Sequence, residues 1–246
     1  GAIIQYSLFI TKGFPFREAF FLLFLPLKIP TMTDNYLLLG AKKRLIEELR
    51  QKGISDENVL QAFDKVERHL FVESFLWNKA YDNVALKLLN GQTISHPYTV
   101  AFQSQLLQIK KGEKVLEIGT GSGFQAAILS AMGANVYSVE RQQMLYERTR
   151  KLLSKLDPSI VMYYGDGFLG FPRFAPYDKI IVTCGAPNVP MSLMDQLKVG
   201  GIMVIPVGDE SQTMKRLTKV DADNFEEEVF GDFLFVPMLK DRVKRQ

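Results

Sequence analysis

The 246-residue sequence has one cysteine and two histidines, and both scarcities remove classes of function. A lone Cys184 excludes an intrachain disulfide and a multi-cysteine zinc site, in agreement with a reducing compartment. His69 and His96 form no H-E-x-x-H pair and no carboxylates gather at ligand spacing, so no catalytic metal is expected. An excess of one charge is also missing: 30 Lys and Arg stand against 27 Asp and Glu, leaving a net charge of +3. Without a long basic block to track a phosphate backbone, no nucleic-acid partner is expected.

Long apolar runs are lacking too. Ala19-Phe20-Phe21-Leu22-Leu23-Phe24-Leu25, closed by Pro26 and Pro30, falls short of the ~20 apolar residues that cross a bilayer. Lys12 and Arg17 ahead of it are signal-like, but no A-x-A-like cleavage site follows. The sequence begins at Gly1, and Met32 with the polar stretch behind it offers a natural start. We therefore read residues 1–31 as an apolar extension and 32–246 as one domain. The aromatics of the extension suit an apolar patch on this domain or on a neighbouring chain.

What is present is a helical preface followed by alternating strands and helices. Leu38, Ala41, Leu45 and Leu49 form one helical stripe, stopped at Gly53; Ser55 is the expected cap of a second helix with Val59, Ala62, Phe63 and Val66 inward. Strands are expected at Val115–Ile118, Asn135–Glu140, Ile160–Tyr164, Lys179–Thr183 and Ile202–Val207, with helices after the first, second and fourth. This is the rhythm of a mostly parallel sheet covered on both faces, and right-handed crossovers put the first three strands side by side. Lys215–Val220 and Glu227–Val236, separated by Asp221-Ala222-Asp223-Asn224, read as a closing antiparallel hairpin.

Val115-Leu116-Glu117-Ile118 runs into Gly119-Thr120-Gly121-Ser122-Gly123-Phe124. A buried strand ending in such a turn brings backbone N–H groups and a helix N-terminus to a ligand at the carboxyl edge of the sheet. The glycines at 119, 121 and 123 do not make G-x-G-x-x-G, because Phe124 replaces the last one; a nicotinamide or flavin dinucleotide becomes the runner-up. Glu117 is ill-suited to a pyrophosphate and well-suited to a cation, such as the sulfonium and ammonium of S-adenosylmethionine. Glu140, before Arg141, ends the second strand, where an acid accepts from ribose hydroxyls. Asp166, ahead of Gly167, is placed to accept from an adenine amino group. Singly, the last two are an ordinary surface pair and a turn. At successive strand ends they make a coherent adenosylmethionine site.

These residues resemble the protein-L-isoaspartate O-methyltransferase family. The resemblance is carried by Tyr81-Asp82-Asn83-Val84-Ala85-Leu86, Gly91-Gln92-Thr93-Ile94-Ser95-His96-Pro97-Tyr98, Val115 through Ala127, Val136 through Arg141, Gly165-Asp166-Gly167, Ala175 through Thr183, Gln196 through Gly201 and Ile205-Pro206-Val207-Gly208. The segment Gly91–Pro97 is the part not shared with other methyltransferases. His96, Phe124 and Cys184-Gly185 depart from the family's common residues. The resemblance implies a Rossmann-like methyltransferase fold, S-adenosyl-L-methionine as cofactor, no metal, isoaspartyl-containing proteins and peptides as substrates, and a cytoplasmic location. We expect a monomer, with the extension available for association.

A carboxylate is ionised at neutral pH and needs no general base to attack a sulfonium methyl. Catalysis is then alignment, with Ser95 as the residue that holds the acceptor, Thr93, His96 and Thr183 as walls of the acceptor site, and Glu117, Gly119–Gly123, Glu140, Arg141, Asp166 and Gly167 around the cofactor. His96 is expected as a turn histidine with a solvent-facing ring, His69 as a cation at a helix C-terminus, and Cys184 as a small buried residue. Another methyltransferase acting on a small molecule or RNA, a non-catalytic adenosylmethionine-binding protein and a nicotinamide oxidoreductase remain as alternatives.

Overall fold

The structure, a computed structural model, describes residues 32–88 and 93–244; the apolar extension and the Gly91-Gln92 pair lie outside them. Two helices come first, α1 (Met32–Gln51) and α2 (Glu57–Lys65). Leu38, Leu45 and Leu49 are buried as the stripe requires, and Gly53 follows with φ +95°, a conformation that favours glycine. The cap of α2 is Asp56, whose side chain accepts from Asn58 N, rather than Ser55. Ser55 N and Asp56 N both donate to Gln105 Oε1, which ties this helix start to a later helix.

A two-stranded antiparallel pair, β1 (Leu86–Lys87) and β2 (Thr93–Ile94), leads into α3 (Pro97–Leu107). Pro97 suits a first helical position because its missing N–H has no intrahelical partner to lose. Then come β3 (Lys114–Ile118), α4 (Phe124–Ala131), β4 (Asn135–Glu140), α5 (Gln143–Leu156), β5 (Val161–Tyr164), β6 (Tyr177–Val182), α6 (Met191–Gln196), β7 (Leu197–Val207), β8 (Gln212–Lys219) and β9 (Phe225–Phe233).

Seven strands form one sheet in the order β5-β4-β3-β6-β7-β8-β9. The first five are mutually parallel and the last two pair antiparallel, so the expected mixed sheet and C-terminal hairpin are present. The hairpin turn is held by Asp221, whose Oδ1 accepts from Asp223 N and Asn224 N. On β3, Val115 joins one core layer, with residues of the first four helices, while Leu116 and Ile118 join the other, with α6. A strand buried on both faces needs this continuous apolar run. The chain leaves β3 toward β4 on one side and returns to β6 on the other, so strand order reverses between β3 and β6. Open α/β sheets bind ligands at such a point.

The second hairpin strand ends at Phe233, short of the expected Val236. Beyond it the chain crosses the carboxyl edge of the sheet: Gly185 N donates to Val236 O, Met238 N to Gly185 O, and Gln143 N to Val243 O. Nothing periodic in Leu234–Leu239 marks this path. No helix among the described residues is long and apolar enough to cross a membrane.

Candidate functional site

At the β3/β6 reversal lies a cavity of about 370 Å³, within the size range of small-molecule sites. Three sequence-distant groups line it: Thr93, Ser95 and His96 before α3; Gly119, Thr120, Gly121 and Ser122 after β3; Glu140 and Arg141 after β4, with Gly167, Thr183 and Cys184. The carboxyl-edge crossing, Leu234–Leu239, forms a further wall, which no motif in the sequence marks.

The glycine turn is fixed from beneath. Gly119 and Thr120 donate to Val139 O, and Gly123 N donates to Thr120 O. Thr183 Oγ1 donates to Gly119 O at 2.6 Å, tying the β6 end to the β3 end. Ser122 Oγ accepts from Phe124 N at 3.3 Å, and Thr149 Oγ1 donates to Gly121 O.

Glu140 is 4% exposed, and its two oxygens accept from Gly121 N at 3.0 Å and Gln142 N at 2.9 Å. Burial raises its pKa, against the lowering effect of these backbone donors. Each oxygen retains a further acceptor site, so Glu140 organises the loop and can also accept from a ligand.

Glu117 is not on the wall. It is fully buried, takes a short hydrogen bond from Ser138 Oγ, and reaches the cavity only through Ser138 and Thr120, whose hydroxyls are 2.6 Å apart. Burial pushes its carboxyl up to about 8, so it is protonated at neutral pH. Its ordinary value is 4.5, so the folded chain holds a proton that the unfolded chain releases. That contribution to stability is complete below about pH 4.5 and is lost as pH rises through about 8. Glu117→Gln is therefore expected to flatten this part of the stability curve in denaturant titrations between pH 5 and 8. An unchanged slope would show that the carboxyl is ionised in the folded protein.

Asp166 does not line the cavity. Its oxygens accept from Phe168 N and Asp241 N, both at 2.9 Å, so it caps a short 3-10 turn and anchors the crossing segment. Arg141 has a similar task, donating from Nε to Asp241 O and from Nη2 to Lys240 O.

The two histidines differ from their expected settings. His69 Nδ1 meets Tyr81 Oη at 3.0 Å, and burial lowers its pKa despite nearby Glu67; it is a neutral member of a packed network, not a helix-end cation. His96 precedes Pro97 with its Nδ1 buried and unpartnered. Burial first, then the positive charges of Arg68 and Lys52, lower its pKa against the opposing effect of Glu48. Cys184 is half-buried on the cavity wall rather than fully buried, and its surroundings push its thiol up to about 12, so it is no nucleophile. The described residues contain no group of three or more His, Cys, Asp or Glu side chains able to hold a metal.

Comparison with known proteins supplies the class of chemistry. A protein-L-isoaspartate O-methyltransferase of Christiangramia forsetii is 53% identical over 213 residues, covering 86% of this chain and all of that protein. A solved protein-L-isoaspartate O-methyltransferase superposes with a TM-score of 0.74 at 28% identity, covering 80% of this chain, which spans 65% of that one. A Plasmodium falciparum structure described as a putative protein-L-isoaspartate O-methyltransferase in complex with S-adenosyl-L-homocysteine shares the fold, with a TM-score of 0.70 at 22% identity over 81% of this chain and 98% of that one. The model of the protein-L-isoaspartate(D-aspartate) O-methyltransferase family matches residues 40–243, taking in the turn before α3, the glycine loop and the crossing segment alike, and the chain belongs to that family.

Proposed function

We infer that this chain transfers a methyl group from S-adenosyl-L-methionine to the free carboxylate of isoaspartyl residues in damaged proteins. The observation that carries the reading is that the Thr93–Pro97 turn, with its Ser95 hydroxyl, and the Gly119–Ser122 loop line one cavity, so an acceptor and a cofactor can meet there.

The residues fit the cofactor. The glycine turn exposes backbone at the β3 end, and Glu140 offers free acceptor capacity at the β4 end for ribose hydroxyls. When bound, the cofactor supplies a methyl group on a positively charged sulfur. This chain's own residues need only align an acceptor that is already ionised, so the step requires no general base. The Ser95 hydroxyl donates to the acceptor carboxylate, Thr93 and Thr183 bound the space, and His96 stays neutral at pH 7. Arg141 and Asp166 act on the cofactor side by pinning the crossing segment, and Gly167 completes that wall.

The expected site fails if labelled S-adenosylmethionine gives no methyl transfer to an isoaspartyl peptide. A relative that had kept the loops but lost turnover would bind the cofactor and fail the same assay. Glu140→Ala is expected to weaken cofactor binding about tenfold to a hundredfold, since a hydrogen bond to a charged group contributes about 1.5–3 kcal/mol. Calorimetric titration with S-adenosylhomocysteine measures this, and an unchanged affinity would remove Glu140 from the site. We place the protein in the cytoplasm, as a monomer whose domain is 32–246, with residues 1–31 available for association.

A further inference from the structure

Arg68 is 1% exposed, yet no Asp or Glu among the described residues pairs with it. It occupies the 3-10 turn Arg68–Phe71 after α2. Its Nε donates to Ala80 O at 2.7 Å, and its Nη2 lies 3.4 Å from Val84 O. The guanidinium carbon sits 4.9 Å from the centre of the Phe124 ring. Nη1 is buried with no partner. Burial lowers its pKa to about 9, which leaves it charged at neutral pH. Stripping a cation of water without a counter-ion is expensive; two carbonyls and one ring face offset only part of that.

The cation stands immediately behind the acceptor end of the cavity. Phe124, His96 and Ala85, the neighbour of Val84, all line the cavity, whereas Arg68 does not. Its charge is among those that disfavour a proton on His96. A field that opposes a second cation beside Ser95 favours an anion there by the same Coulombic argument.

We propose that Arg68 is a positioning residue that makes the acceptor pocket charge-selective, favouring the ionised carboxylate over its neutral ester or amide. This deepens the isoaspartyl methyltransferase reading and rests on it. In the transfer, the carboxylate oxygen forms the new O–CH3 bond while the S–CH3 bond breaks and its electron pair stays on sulfur. The acceptor thus changes from anion to neutral ester with no proton moved. The attraction that holds the substrate is lost in the product, and release of the ester is favoured.

The test compares three peptides of one sequence, bearing the isoaspartyl carboxylate, its carboxamide or its methyl ester, bound to the full chain saturated with S-adenosylhomocysteine. The wild-type chain is expected to prefer the acid. R68Q, which keeps a donor for Ala80 O, and R68M, which keeps only bulk, should each lower the acid-over-amide preference about tenfold. R68K, which retains a cation, should keep it within about threefold. One folded neutral variant suffices, so misfolding of the other leaves the test intact. An unchanged preference in folded R68Q, or equal weakening of acid and amide, overturns the proposal, because a structural arginine would act on both ligands alike. So does a loss confined to S-adenosylhomocysteine affinity, which would place the charge at the cofactor. A wild-type chain that methylates no isoaspartyl peptide overturns the functional reading itself, whereas intact transfer with unchanged selectivity in R68Q overturns only the role of Arg68.

Discussion

Ser95→Ala is expected to lower turnover on an isoaspartyl peptide about tenfold to a hundredfold while S-adenosylhomocysteine affinity stays within about twofold, the loss reflecting one charge-assisted hydrogen bond and the alignment it enforces. The hydroxyl is separable from the fold. Ser95 lies between β2 and α3, and that junction is held by other groups: Tyr98 N donates to Asn83 Oδ1 at 3.0 Å, Val100 N to His96 O, and Asn83 Nδ2 to Glu48 Oε1. Removing one oxygen leaves all three bonds in place. The wild-type chain should also methylate the isoaspartyl peptide about a hundredfold faster than its aspartyl isomer. The extra backbone methylene shifts the carboxylate relative to the gripped chain, and displacements on the order of 1 Å can change rates by that factor. Single-turnover rates on the paired peptides, with separate calorimetric titration of S-adenosylhomocysteine, measure both. Equal rates on the two isomers would refute isoaspartyl specificity, and an undiminished Ser95→Ala rate would release Ser95 from its role.

The part of this site readable in the sequence is the part built from local chemistry. Val115 through Phe124 encode a doubly buried strand, a turn needing glycines and a helix start within ten consecutive positions, and Glu140 is the last residue of β4. What was not readable depends on contacts between distant segments. Nothing local singles out Arg68 beside His69, and only the packing of Phe124 and the Ala80 carbonyl around it shows that it is buried. Asp166 looks like an adenine acceptor in the sequence, but it lies off the cavity wall and bonds Asp241 N, 75 residues away. β1 and β2 span two residues each, too few for a periodic signal. Ser55 and Asp56 are both cap-competent by local rule, and the structure uses Asp56. Glu117 faced a cation in the sequence reading because its spacing from the glycines is right, but on a central strand it points between layers and keeps its proton.

Gly119→Ala and Gly121→Ala should separate the two demands that the cofactor loop makes on glycine. A Cβ on Gly119 would stand 2.6 Å from Thr183 Oγ1, and the residue has φ +96°, outside the narrow left-handed region open to other residues. Backbone strain of about 1–3 kcal/mol adds to an overpacking term of about 1–3 kcal/mol. We expect Gly119→Ala to lose roughly 2–6 kcal/mol of stability, and at least about a hundredfold in S-adenosylhomocysteine affinity as the β3 and β6 ends are forced apart. Gly121 has φ +54° and open space where its Cβ would lie. Alanine there incurs only the left-handed penalty of about 1–2 kcal/mol, but its methyl group meets an incoming ligand, because Gly121 lines the cavity. Gly121→Ala should therefore fold with little loss and still bind the cofactor poorly. The Thr183 contact can be isolated by the double variant Gly119→Ala/Thr183→Ala. With the hydroxyl gone the clash is relieved and the strain is not, so the combined loss should fall short of the sum of the single losses. Additive losses would mean that Gly119 is required for its dihedral angle alone. Equal thermal stability of Gly119→Ala and Gly121→Ala would mean that the loop tolerates a side chain against β6 and that the cofactor edge is less rigidly built than its hydrogen bonds imply.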